Sequence, residues 1–437
     1  MIGVAYDWLL DYHIDEPQPQ PLLDAAWSEV AAEARRLGAD AVGLQPELGG
    51  DRASDWEAFR ASFVGLVEKA APEAALQLRY AALSGMARSL NDCHTFFLPP
   101  ARSDALNDLR LGRGSVGVGI ELAPVRPTYV REMATGGPAE VAGVRAGDRL
   151  LAVDGNDVTA LDIEAINDRL RGESGSRVTI TVRRPSDDRE RTLVLTRALV
   201  RIPPVEAKVL PGGVGYIRVR TFTAGTQVRD LVDEAAVTFA AADVVAWVID
   251  LRDNPGGDSD LQLAGRFVTG VAERTLLRGG NLEVLDAEGE PYPALPTAVL
   301  VNGGTASVAE IFAAMLQDYG RARVFGIATA RCAGFVSLET LADSSTLGVT
   351  IGHSLTPLSA RPLYRTGVVP DDSVRQTVDD LAAGRDPALE RAVAWLRTQG
   401  RSIRPQRADG EAVSVGLSGP AASVTSSKLG EAFLVGP

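Results

Sequence analysis

The chain has 437 residues, a net charge of −13 and 45% apolar content, enough for two or three domains around a substantial core. Its acidic balance, with no Lys/Arg run, repels a phosphate backbone and argues against a nucleic-acid partner. Lysine occurs only at Lys69, Lys208 and Lys428, so few lysines exist to act as a base. The two cysteines, Cys93 and Cys332, are too few for a disulfide framework and lack the paired spacing of a zinc site.

The opening "MIGVAYDWLL" lacks the basic flank of a secretory leader, and no apolar run approaches the ~18 residues of a membrane span. The expectation is a soluble chain with no transmembrane segment. From Leu22 to Leu90, apolar residues recur at three- and four-residue spacing in "PLLDAAWSEVAAEARRL", "DWEAFRASFVGLVEKA" and "EAALQLRYAALSGMARSL", which predicts a helical N-terminal region over 1–112.

After "DCHTFFLPP" the texture changes to short apolar runs with glycine, a β-rich module over 113–200. Its run "GPAEVAGVRAGDRLLAVDG" resembles the PDZ domain. That resemblance implies a carboxylate-binding loop at Val116, Gly117, Val118, Gly119 and Ile120, whose N–H groups would receive a peptide C-terminus beside an added strand.

From Gly213, apolar strands alternate with amphipathic helices: "GVGYIRVRTF", "TQVRDLVDEAAVTFAAA", "VVAWVIDLRDN", "TAVLVNGG", "SVAEIFAAMLQDY" and "ARVFGIA". This predicts a multidomain α/β protein whose core, over 201–400, contains a largely buried sheet. The Ser/Gly/Ala/Pro-rich residues 401–437 lack periodicity and read as a disordered tail.

Two segments can carry chemistry. In "VLVNGGTASVAEIFAAMLQD" a strand enters a helix at Ser307, where helix N–H groups favour developing negative charge. The same serine with Glu310 makes an S-x-x-E capping box that needs no further role. Asp318, eleven residues on, falls on much the same helical face and is either an orienting carboxylate or a solvated one. In "VIDLRDNPGGD" the Gly256–Gly257 turn lets backbone N–H groups approach a ligand, half of an oxyanion hole that Val308 N–H would complete. Alone it is an ordinary Pro-Gly-Gly loop, and Asp250 with Arg252 reads as a structural ion pair.

Taken in order, the helical start, the Asp-x-His-Thr segment, the inserted PDZ module, "DLRDNPGG", "VNGGTASVAEIFAAMLQDYGRA" and "GVVPDDSV" resemble the C-terminal processing peptidases, or tail-specific proteases. The resemblance implies a core like those of crotonase and Clp peptidase, and a serine endopeptidase that cleaves proteins or peptides presenting a free C-terminus, without metal or cofactor. It also implies export to the periplasm or cell exterior if a leader is missing. The family nucleophile falls on Ser307, the oxyanion donors on Gly256, Gly257 and Val308, and the family's helix aspartate on Asp318. The lysine of the lysine-dependent branch, however, is replaced by Cys332 in "GIATARCAG".

His94, in "LNDCHTFFLPP", is the candidate replacement base, since some relatives use a histidine from this segment; imidazole titrates near ~6.5 and suits proton transfer at neutral pH. Those relatives carry a glutamate where this chain has Tyr364 and Arg365, so the third member is unassigned, with Asp92 and Asp318 as candidates. His13 and His353 match no family site. Cys332 has three readings: an inert apolar side chain, a second nucleophile, or a partner of Cys93 in a reversible disulfide. The alternative functions are a non-catalytic peptide-binding protein and, less consistent with a PDZ module, a crotonase-like acyl-CoA enzyme.

Overall fold

The computed structural model describes residues 1–110, 114–123, 126–223, 226–399 and 413–417. The N-terminal periodicity becomes α1 (Ile2–Tyr12), α2 (Pro19–Arg36), α3 (Arg52–Lys69) and α4 (Ala74–Ser89). Pro19 in the first turn of α2 loses no intrahelical bond there, and Asp51 caps α3 by accepting the Ser54 N–H at 2.9 Å. Their apolar faces share one cluster around Tyr6, Leu23, Phe59, Leu78 and Met86. After α4 the chain runs through Asp92, Cys93 and His94 into β1 (Phe96–Leu98), then α5 (Pro100–Arg110).

The β-rich module comprises β2 (Ser115–Gly117), β3 (Ile120–Leu122), β4 (Val130–Met133), α6 (Pro138–Val141), β5 (Arg149–Val153), β6 (Asn156–Asp157), α7 (Ile163–Leu170), β7 (Arg177–Arg184), β8 (Arg189–Thr196) and β9 (Ala198–Val200). β7 alternates buried and accessible residues, with Val178, Ile180 and Val182 turned inward against Val130, Leu150 and Ile166. β2 pairs with β9 and β3 with β4, so Val118 and Gly119 form the link between two small sheets. Gly119 has φ +69°, which a side chain would strain.

The elements of the α/β core are β10 (Val205–Leu210), β11 (Val214–Val219), α8 (Thr226–Ala241), β12 (Ala246–Asp250), α9 (Leu261–Gly265), β13 (Val271–Leu277), β14 (Leu282–Asp286), β15 (Thr297–Val301), α10 (Val308–Asp318), β16 (Arg323–Gly326), β17 (Gly334–Thr340), β18 (Thr346–Leu355), β19 (Asp372–Ser373), α11 (Val378–Ala382) and α12 (Pro387–Gln399). β11, β12, β15, β16 and β19 run parallel, and β10 joins antiparallel at the β11 edge. Every residue of β12 and β15 is buried because helices cover both faces. α8, α9 and α10 pack on one side with Ile217, Ile249 and Val299, and α12 packs on the other with Val248 and Leu300.

A second, antiparallel sheet gathers β1, β18, β13 and β14, with β17 also paired to β18. Phe96 pairs with Gly348 and Gly334 with His353. One long strand thus draws the segment after His94 and the segment after Cys332 together. Part of the C-terminal stretch is ordered: Val413–Val415 form β20, antiparallel to β10. This corrects the expectation of a wholly disordered tail, because the open edge of β10 supplies hydrogen-bond partners that local composition does not reveal. Residues 400–412 and 418–437 lie outside the described residues.

Candidate active site

β15 ends at Val301, and the turn from Asn302 to Ala306 delivers Ser307 to the start of α10. Ser307 has φ +54° and ψ −128°, a conformation that a non-glycine residue adopts only when its surroundings impose it. The surroundings do so from several sides. Ser307 N–H donates to Cys332 O at 3.0 Å and lies 3.1 Å from Glu310 Oε2, while Ala306 N–H donates to Asn254 O at 2.9 Å. The hydroxyl is turned towards His94, with Oγ 3.2 Å from Nε2.

Glu310, fully buried, links the turn to the 329–332 segment. Its carboxylate accepts the N–H groups of Arg331 (2.9 Å) and Cys332 (2.8 Å) and the Thr329 hydroxyl. The capping-box reading of Glu310 captured its bond to Ser307 N–H but not these three. Burial pushes its pKa up, against the downward pull of the four hydrogen bonds.

The Asn254-Pro255-Gly256-Gly257 turn crosses in front of α10. Asn254, fully buried, donates from Nδ2 to Val219 O and accepts Gly256 N–H at Oδ1, both at 2.9 Å. That bond occupies the Gly256 donor. Among the described residues, Gly257 N–H and Val308 N–H have no such acceptor, so they are the two donors free to meet an oxyanion. Gly256 serves by its size instead, since a Cβ there would stand 2.6 Å from Ser307 Cβ.

His94 is 8% exposed. Burial lowers its pKa below the usual histidine range; the nearby Asp92 charge opposes that shift and His353 adds to it. Asp92 does not touch the ring. Its carboxylate accepts the backbone N–H of His94 (2.8 Å) and Thr95 (2.6 Å), the Thr350 hydroxyl (2.5 Å), and pairs with His13 Nε2 at 2.9 Å. Burial raises the Asp92 pKa, but these bonds prevail and hold it well below the ordinary carboxylate range. His13 is therefore fixed structurally, and His353 stacks on Tyr364 at 3.8 Å.

Nδ1 of His94 faces sulfur: Cys93 Sγ at 3.7 Å and Cys332 Sγ at 3.8 Å. These two cysteines are joined as a disulfide. Among the described residues no carboxylate is paired with Nδ1. Asp318, at the far end of α10, is not brought to the pair; its oxygens accept Leu358 N–H (2.7 Å), Ser359 N–H (3.0 Å) and the Ser359 hydroxyl (2.8 Å). Asp250 and Arg252 do form a buried ion pair, at 2.6 Å.

The arrangement suits acyl transfer: a hydroxyl within hydrogen-bond reach of a buried imidazole whose pKa is lowered, two backbone N–H groups without an acceptor among the described residues, and a helix N-terminus. The module over β2–β9 sits against it, with Arg131 of β4 pairing with both Glu121 of β3 and Asp253, the residue before Asn254.

Residues 213–374 match peptidase family S41, and residues 129–184 match the PDZ domain. The chain is 34% identical over 331 residues to a carboxyl-terminal-processing protease of Picosynechococcus sp., covering 74% of this chain and 78% of that protein. It is also 34% identical over 321 residues to a chloroplastic C-terminal processing peptidase of Tetradesmus obliquus, covering 67% of each. Its fold matches that of a photosystem II D1 C-terminal processing protease with a TM-score of 0.54 and 25% identity, over 89% of this chain and 97% of that one. These likenesses span the helical region, the PDZ module and the α/β core, and the chain belongs to peptidase family S41, as a serine protease carrying a PDZ domain.

Proposed function

We propose that the protein is an endopeptidase working through a Ser307–His94 pair, with the PDZ module recruiting substrates by a free C-terminal tail. His94 takes the Ser307 proton as the hydroxyl attacks the peptide carbonyl. Gly257 and Val308 N–H stabilise the oxyanion, and the imidazolium protonates the leaving amine. Water then releases the acyl group by the reverse proton path. The observation that carries this reading is the 3.2 Å approach of His94 Nε2 to Ser307 Oγ, at a serine held in a strained backbone conformation. The proposed domain limits remain 1–112, 113–200 and 201–400.

Tail recruitment is favoured by the link between β2 and β3 and by β3 itself, whose described pairing is with β4 on one side. Val116 to Ile120 would receive the carboxylate and β3 would add the tail as a strand. The test compares one peptide with a free and an amidated apolar C-terminus. The free form should show the higher kcat/KM, and Ser307→Ala should cleave neither; equal rates for both forms would remove the PDZ role and leave the catalytic pair standing.

A further inference from the structure

The His94 ring presents one nitrogen in each direction. Nε2 addresses Ser307, while Nδ1 faces Cys93 Sγ at 3.7 Å and Cys332 Sγ at 3.8 Å. Nδ1 and the two sulfurs all lie within 4.8 Å of one another. A tetrahedral zinc ion, with Zn–S of about 2.3 Å and Zn–N of about 2.0–2.1 Å, sets its nitrogen and sulfur ligands about 3.6 Å apart. Both nitrogen-to-sulfur spans already have nearly that length. The sulfurs alone must move apart, and cutting the bond between them allows it.

The frame around these side chains does not depend on the disulfide alone. Cys332 N–H donates to Glu310 Oε2 at 2.8 Å and its carbonyl accepts Ser307 N–H at 3.0 Å, while His94 N–H donates to Asp92 Oδ1 at 2.8 Å. The Cα atoms of the cysteines stand 5.9 Å apart, so the freed thiols remain neighbours. Cys93 is exposed, whereas His94 and Cys332 are buried, which opens the Cys93 sulfur to a dithiol. Two thiolates and a neutral imidazole also balance a divalent cation, so no net charge is buried.

We propose that reduction turns Cys93, Cys332 and His94 into a zinc site, and that the bound ion switches the protease off. The dithiol attacks the Cys93 sulfur, Cys332 leaves as a thiolate, and the second thiol of the reductant releases Cys93; the dithiol gives up two electrons and becomes a cyclic disulfide. The protein thiols lose their protons to solvent as they bind zinc. Binding stands by itself, and only the switching rests on the Ser307–His94 reading. Zinc takes the Nδ1 lone pair, so the neutral ring carries its proton on Nε2, the atom that must accept from Ser307. The base is blocked while Ser307 stays chemically intact.

The experiment compares the oxidised full chain with the chain reduced by a phosphine that is then removed without air, and its probe is zinc ion alone. Reduced wild type should take up one zinc ion per chain more than the oxidised form. His94→Ala should weaken that uptake by about tenfold or more, since losing even an outer partner of a ligand costs that much. Cobalt(II) in place of zinc should give thiolate-to-metal charge-transfer absorption in the reduced wild type, a readout that needs no variant. Zinc should also slow fluorophosphonate labelling of Ser307 by about 10² in the reduced chain, reversibly with a chelator, and leave the oxidised chain unchanged. Should reduction unfold the chain, zinc must restore the folded state. Equal zinc uptake by both redox forms, uptake undiminished in His94→Ala, no thiolate absorption with cobalt, or a reduced chain that zinc leaves unfolded overturns the site. Zinc bound with labelling undiminished keeps the site but removes the switch, and with it the role of Nε2 as base. Oxidised protein that never labels contradicts the catalytic reading and leaves zinc uptake to decide the site.

Discussion

His94, the proposed base, can take a proton only while neutral, and burial lowers its pKa below that of a free imidazole. The acid limb of kcat/KM should therefore have its midpoint below ~6.5, the ordinary histidine value. A pH profile of the free enzyme checks this, and a midpoint well above that value contradicts the assignment. Ser307 and His94 could both be read as candidates in the sequence because each sits in a short motif of recognisable order. Asp318 was not, for a geometric reason. Eleven residues return a side chain to the same helical face, but at ~1.5 Å per residue they also carry it ~16 Å along the axis. Asp318 consequently reaches the 358–359 turn instead of Ser307.

Two elements set the reacting groups against each other, the glycine turn after β12 and the N-terminus of α10. Gly256 combines φ +96° with a Cβ position 2.6 Å from Ser307 Cβ, so Gly256→Ala should push the turn off the nucleophile and lower kcat by about 10²–10³. Substrate binding remote from the turn should change far less, which steady-state kinetics separates as a kcat effect. Glu310→Gln places an amide among donors that now find a carboxylate. It should cost roughly 2–3 kcal/mol, read as a lower urea midpoint, with slower turnover because Ser307 and Cys332 share that anchor. The sequence pattern revealed Glu310 only as a cap. Its contacts with Thr329, Arg331 and Cys332 arise across a twenty-residue excursion that local spacing does not encode. Asn254, which opens the glycine turn, decides through its side chain which glycine keeps a free N–H.

At the scale of the whole molecule, the Cys93–Cys332 disulfide ties the end of the helical region to the α/β core across 239 residues of sequence. Reduction, or Cys93→Ser with Cys332→Ser, should destabilise the protein by about 2–5 kcal/mol and lower activity, since both sulfurs brace the His94 ring. Chemical denaturation with and without a dithiol reductant measures the first effect, and peptide cleavage the second. Stability and rate indifferent to reduction would return the cysteines to the inert reading. The parallel sheet and its helices were legible from apolar strands alternating with amphipathic helices. The antiparallel sheet was not: β1 pairs with β18 from 250 residues away, and its short strands gain their order from each other. It is this sheet that brings Cys93, His94 and Cys332 to one place.

The central claim is that His94 activates Ser307, and the rate of Ser307 modification by a fluorophosphonate probe tests it most directly. Wild-type protein should gain the probe mass on Ser307, and His94→Ala should slow that modification by about 10²–10⁴ while keeping the wild-type unfolding midpoint within about 1 kcal/mol. Undiminished labelling of Ser307 in His94→Ala would contradict the account.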